Sequence, residues 1–316
     1  MNILVTGGAG YLGSVIVPAL LYEGHEVTVI DNFMYNQISL LDCCLDEKFT
    51  VVRGDAADSK ILKPHLLKSD AIFPLACLTG APICKEKSEE AKRVIIAALQ
   101  LILDFKSDEQ MVIYPTTNSG YGIGEKDRFC TEETPLRPIS LYGRLKVDAE
   151  QMVLNSPNGI TLRLATAFGV SPRPRMDLLV NDFTYQAFFN GRIELFEAHF
   201  KRNYIHVRDI AKAFIHMLDN FDQHKGQAYN VGLSDANLSK WELCQEIQKQ
   251  LPEFTFEENL DGKDPDQRDY IVSNAKIEAT GFKPDVSLQM GIAELIKSFQ
   301  VLRKGRKREI YFANIQ

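Results

Sequence analysis

The chain has 316 residues, 45% of them hydrophobic and 25% charged, with 20 Gly and 13 Pro, a balance that excludes a disordered, collagen-like or low-complexity protein. Its formal net charge of −6 sets the surface against a phosphate backbone, so no nucleic-acid partner is expected. At this length one core gives way to two lobes, and one or two domains are expected.

In chain order, short apolar β-rich runs at 2–6, 27–31, 49–53, 71–75, 111–115 and 160–164 alternate with helical stretches at 12–23, 86–105 and 141–154. The alternation predicts an α/β fold, a Rossmann-type doubly wound parallel sheet over residues 1–170. After Gly169 the pattern turns irregular, with Pro172, Pro174, a helix near 176–189 and a strand at 193–196, which suggests a smaller C-terminal α/β substrate lobe over 171–316. Strands at 203–207 and 229–232 are expected to return to the edge of the main sheet. Ser239 with Glu242 forms a capping box ahead of one helix, and Ser287 precedes a last helix carrying Leu288, Ile292, Leu295, Ile296 and Phe299. The basic run from Arg303 to Arg308 reads as a solvated tail.

The opening Met1–Thr6 carries no basic leader, and no apolar run approaches the roughly 18 residues of a membrane span, so no membrane partner is expected. Six cysteines without C-x-x-C pairing fit a reducing cytoplasm. His206 and His216 stand alone on a strand and a helix, where they read as packed residues, and no cluster has metal spacing.

Chemistry enters at Gly7, Gly10 and Gly13, which follow the first strand and open the first helix in Thr-Gly-Gly-Ala-Gly-Tyr-Leu-Gly. Such a turn, here including Tyr11 and Leu12, lets backbone N–H groups and a helix N-terminus approach a pyrophosphate. Asp31 ends the second strand, where a carboxylate can accept from both hydroxyls of an adenosine ribose. Asn32 and Phe33 follow it in place of a cation, which favours NAD over NADP. Further on, Tyr142 and Lys146 stand four apart at the start of a helix, with Thr117 upstream at the end of the fifth strand. Free tyrosine is a poor base at neutral pH. An ammonium about 4 Å away, at an effective dielectric near 20, contributes on the order of 4 kcal/mol, enough to bring Tyr142 towards operating pH.

The glycine spacing together with Thr117, Tyr142 and Lys146 resembles the extended short-chain dehydrogenase/reductase family, of the NAD-dependent nucleotide-sugar epimerase/dehydratase type. Arg163–Gly169, Arg202–Asp209 and Tyr229–Gly232 resemble further landmarks, so the likeness spans nearly the whole chain. It implies that Thr117, Tyr142 and Lys146 are catalytic, and that Asp55 and Ala56 lie near the adenine with Leu75 on the cofactor. It also implies that Arg202, Arg268 and Asn181 hold a substrate diphosphate, and that the protein is a homodimer or higher homo-oligomer pairing through 86–105 and 141–154. The apolar Val94, Ile95, Ile96, Leu99 and Leu103 agree with such pairing. Asn118 and Ser119 occupy the substrate-side positions where the family's 4,6-dehydratases carry an Asp-Glu pair. Neither ionises near neutral pH, so elimination is disfavoured. Thr166, Pro74 and Ile95 depart from the Asn, His and Asn common in relatives. The stretches Pro115–Gly124, Leu78–Lys85 and Arg173–Phe183 are similar to those of enzymes that modify GDP-manno-heptose for bacterial capsules. The expected activity is oxidation of a nucleotide-sugar hydroxyl at C4 by NAD, with 4-epimerisation, or a non-catalytic NAD-binding role, as alternatives.

Overall fold

The computed structural model describes residues 1–261 and 267–301; the basic run at 303–308 lies outside them. Seven of its strands form one parallel sheet: β1 (Asn2–Thr6), β2 (Glu26–Asp31), β3 (Phe49–Arg53), β4 (Ala71–Pro74), β5 (Met111–Thr117), β6 (Gly159–Leu164) and β7 (Ala228–Val231). Their spatial order is β7-β6-β5-β4-β1-β2-β3. The order reverses between β1 and β4, and at such a switch point the loops leaving the strands part to open a crevice at their carboxyl ends.

Period-two burial builds both faces of the sheet. Ile3 and Val5 of β1 enter a cluster with Ile16, Val17 and Leu20 of α1 (Gly13–Tyr22), whereas Leu4 between them enters a second cluster with Ile95, Leu99 and Ile102. β1 is therefore apolar at every position from Ile3 to Val5, as a strand covered on both faces must be.

The long helix expected over 86–105 is interrupted. One helix, Ala81–Glu86, ends at Lys87, and a second begins at Ser88 and passes through a π-helical turn at Arg93–Ala97 into Ala98–Phe105. The wide turn sends Ile95 into the core while Val94 reaches the crevice.

Residues 229–232 do return to the main sheet, but Lys201–His206 does not. It pairs parallel with Thr166–Phe168 and antiparallel with Asn237–Ser239 in a separate three-stranded sheet. The reason is competition: β7 takes the edge beside β6, and the chain beyond Ala165 peels away with Lys201–His206 following it. The helix expected near 176–189 starts at Leu179 and ends at Asn190, where Gly191 adopts a left-handed cap with φ 68°. The helix expected to carry His216 runs Val207–Asp219 and is capped by His206 Nδ1 rather than by a small polar residue. The Ser239 and Glu242 capping box forms as expected. No helix among the described residues is long and apolar enough to cross a membrane.

Candidate active site

A cleft of about 1610 Å³, its open mouth included, lies at the carboxyl ends of the strands. The glycine turn forms its floor. Gly7 adopts φ +71°, and a Cβ there would come within 2.6 Å of the Ala76 backbone; a Cβ on Gly13 would meet the Gly8 carbonyl at 2.4 Å. These two glycines are needed for chain packing. Gly10 differs, since its added Cβ would meet only Gly7 O at 3.3 Å, so the space above it belongs to whatever enters the cleft. Tyr11 and Leu12 complete the turn on the cleft wall, and the Tyr11 hydroxyl donates to Gly169 O at 2.9 Å.

Asp31 is buried at the end of β2. Its carboxylate accepts from Ala9 N at 2.9 Å, Phe33 N at 2.8 Å and Gln37 Nε2 at 3.3 Å. Burial, the largest influence, still carries its pKa upward. Asn32, Asp55, Ala56 and Leu75 line the same end, and Asp55 also pairs with Arg93 at 2.6 Å near the surface.

Across the cleft stand the polar residues of β5 and of α2 (Leu141–Leu154), whose first turn is capped by Ser140 Oγ accepting from Gly143 N at 3.0 Å. The four-residue spacing puts Tyr142 and Lys146 on one helix face, and both line the cleft with Thr117. Lys146 Nζ donates to Tyr114 Oη at 3.0 Å and to Pro115 O at 2.8 Å. Burial disfavours its charge, but Cys77, Tyr114 and Tyr142 outweigh that and hold the ammonium above its usual pKa. Lys146 draws the Tyr142 pKa down as expected, but burial raises the phenol well above its ordinary value of 10 and the pull of Lys146 offsets only part.

Thr117 Oγ1 donates to Ser119 Oγ at 2.9 Å, and Arg268 Nη1 donates to the same oxygen, so the Ser119 hydroxyl accepts from both. Asn118 is buried, does not line the cleft, and has neither amide atom hydrogen-bonded among the described residues. Arg268 therefore sits at the Thr117 end of the cleft. Arg202 lies off it, its guanidinium 5.7 Å from the Tyr270 ring and donating to Lys201 O at 2.8 Å. Asn181 is also off the cleft. Its amide accepts from Gly169 N at 2.9 Å and donates to Arg175 O at 2.8 Å, so it braces a loop.

Behind the cleft wall, Glu150 of α2 and Arg163 of β6 form a pair at 2.7 Å with side chains 1% and 7% exposed. Thr116 donates to Glu150, and Arg163 to the Tyr121 hydroxyl. The network ties α2 to β5 and β6 and so fixes Tyr142 and Lys146 relative to Thr117. Patterning in the sequence did not single out Glu150 or Tyr35, nor Arg173 and Arg175 as cleft residues, although both arginines line it. The one local signal was Arg-Pro-Arg at 173–175, with four residues between it and the strand at 166–168.

A nucleotide-shaped floor, a ribose-end carboxylate and a Thr, Tyr, Lys wall sharing one cleft at the switch point of a parallel sheet describe a Rossmann-type dinucleotide enzyme. Comparison narrows that class. Residues 3–232 match the model of the NAD dependent epimerase/dehydratase family, and the chain belongs to that family, whose members are NAD-dependent enzymes. It is 25% identical over 315 residues to UDP-glucuronic acid decarboxylase 1 of Arabidopsis thaliana, covering 95% of this chain and 70% of that one. It is 26% identical over 270 residues to a UDP-glucose 4-epimerase of Corynebacterium glutamicum, covering 78% and 80%. In fold it is similar to a dTDP-glucose 4,6-dehydratase from Streptomyces venezuelae solved with NAD, with TM-score 0.83, 24% identity and 97% and 98% coverage. The cleft fits that cofactor: open space above Gly10, backbone N–H groups at the head of α1, and a carboxylate at the ribose end.

Proposed function

We propose that this enzyme oxidises the C4 hydroxyl of a nucleotide-diphosphate sugar, with GDP-manno-heptose as the substrate. The observation that carries the reading is the convergence of Thr117, Tyr142 and Lys146 on the cleft that holds the glycine turn and Asp31. The names of the relatives, which act on UDP- and dTDP-sugars, support a nucleotide-sugar class, and the likeness of Arg173–Phe183 and Pro115–Gly124 to GDP-heptose enzymes supports the narrower one.

In this reading Tyr142 accepts the hydroxyl proton, Thr117 turns its Oγ1 proton from Ser119 to the sugar oxygen, and Lys146 holds positive charge beside the phenolate that forms. Bound NAD supplies the hydride acceptor and, in its oxidised form, a positive charge that favours the phenolate. Arg268, fixed by Ser119, meets the substrate diphosphate next to the sugar. Asn118 and Ser119 offer no ionisable acid or base, so water is not eliminated. A second reading, 4-epimerisation, uses the same groups with the hydride returned to the sugar. It is favoured by the segment Gly169–Asp177, which is fastened across the glycine turn and would slow cofactor exchange.

Incubation with GDP-manno-heptose deuterated at C4 and recycled NAD tests both. Oxidation gives a keto sugar about three mass units lighter than the labelled substrate with deuterium in NADH, and epimerisation keeps mass and label on the sugar. A product about eighteen units lighter would refute the argument from Asn118 and Ser119. No change in the sugar, with turnover of UDP- or dTDP-sugars instead, would replace the substrate. We further propose that two copies pair through Ser88–Phe105 and α2, where Ile96, Leu101 and Leu103 remain only partly buried. A monomer mass in light scattering at micromolar concentration removes that pairing.

A further inference from the structure

The chain that leaves Thr166–Phe168 runs against the glycine turn before entering the helix Leu179–Asn190. It is tied down at each step. Tyr11 Oη donates to Gly169 O at 2.9 Å, Ser171 Oγ donates to Tyr11 O at 2.8 Å, and Ser14 Oγ lies 2.8 Å from Ser171 Oγ. Gly169 takes φ +103°, and a Cβ there would strike the His206 ring at 2.2 Å, so the chain can turn here only at a glycine. Further on, Arg173 is 2% exposed, with its guanidinium carbon 4.4 Å over the ring of Tyr35, a residue of the loop that follows Asp31. Arg175 beside it is bound to Asp177 through two bonds, at 3.0 and 2.5 Å. Arg173 and Arg175 both line the cleft.

We propose that Gly169–Asp177 is a strap over the bound dinucleotide, in which the Arg173 guanidinium holds the diphosphate of NAD and slows its release. The diphosphate brings two negative charges between the glycine turn and the Asp31 carboxylate. Backbone N–H groups and a helix end offer it only partial positive charge. A buried guanidinium seated between those two landmarks meets the remainder, with a fork that matches paired phosphoryl oxygens. Arg175 is held by Asp177, and Arg173 Nη1 donates to Pro174 O at 2.9 Å. Burial first, and Arg175 second, hold Arg173 down to about 10, so it stays charged at neutral pH and gains from an anion placed beside it. The proposal depends on NAD binding by this family and not on which sugar is used, so either can fail alone.

The test is competition against NADH fluorescence by ADP and by adenosine, together with stopped-flow release of NADH, in the whole enzyme. Arg173→Met, which keeps the bulk and removes the charge, is expected to weaken ADP and NAD about 10- to 100-fold while adenosine binds as before. Arg173→Lys is expected to fall between, and NADH release to quicken in proportion. Equal losses for ADP and adenosine would mean general damage to the cleft and overturn the contact, as would no loss for either. Ser171→Ala keeps the guanidinium but cuts the tether, and it is expected to quicken NADH release as well. An unchanged release rate in that variant overturns the strap even if the Arg173 variants do not fold.

Discussion

Tyr142 is where two opposite effects of the fold meet. Burial in the cleft disfavours the phenolate, and Lys146, four residues along the same helix face, favours it; burial wins and the phenol stays protonated at neutral pH. The base form grows as pH rises, so oxidation by the native enzyme should climb steadily from about pH 6 to about pH 9. Tyr142→Phe should bind NAD as before, turn over roughly two to four orders of magnitude more slowly, and lose that climb. Near-native turnover with the same pH profile would take Tyr142 out of the reaction. Local spacing made Tyr142, Lys146 and Thr117 readable along the chain. It could not reveal that Lys146 spends its hydrogen bonds on Tyr114 and Pro115, because those partners come from a neighbouring strand.

The glycine turn shows that one motif can serve two ends. Gly7 and Gly13 have no room for a Cβ because the chain itself approaches them, whereas Gly10 faces open space. Gly7→Ala combines a left-handed backbone with a 2.6 Å approach to Ala76, and it should destabilise the protein by roughly 2–4 kcal/mol, read as a lower Tm. Gly10→Ala should melt within a few degrees of the native enzyme yet bind NAD at least about tenfold more weakly, since its methyl group enters ligand space. A Gly10→Ala protein with native NAD affinity would show that the dinucleotide does not cross this turn. Both glycines look alike in the sequence, and only the position of Ala76, sixty-nine residues beyond Gly7, tells them apart.

Across the whole molecule, Glu294 of the last helix joins parts distant in the chain. Its carboxylate accepts from Val170 N at 3.0 Å at the start of the strap, lies 2.8 Å from His206 Nε2, and pairs with Arg208 at 3.1 Å. Burial would raise its pKa, but these partners outweigh burial and hold it near 2 against an ordinary 4.5. A carboxylate depressed in the folded state adds stability that is complete above the ordinary value and is lost as pH falls towards the folded one. Ionised Glu294 thus stabilises the folded enzyme at neutral pH. Glu294→Gln should be less stable than the native enzyme at pH 7, with the gap closing between about pH 5 and about pH 2. A gap that stays constant with pH would mean that its ionisation contributes nothing.

The chain on its own determined the six strands from β1 to β6, the glycine turn, Asp31, and the spacing of Tyr142 and Lys146. Each is written in neighbours a few residues apart, through period-two burial, a Cβ-free turn or one helical turn. Tertiary structure alone decided that Lys201–His206 joins a second sheet, that Asn181 braces a loop while Arg268 reaches Ser119, and that Arg173 returns to the cofactor cleft. Those outcomes depend on which distant segments win a shared edge or a buried charge. That competition is settled by packing and desolvation, which have no local signature in the sequence.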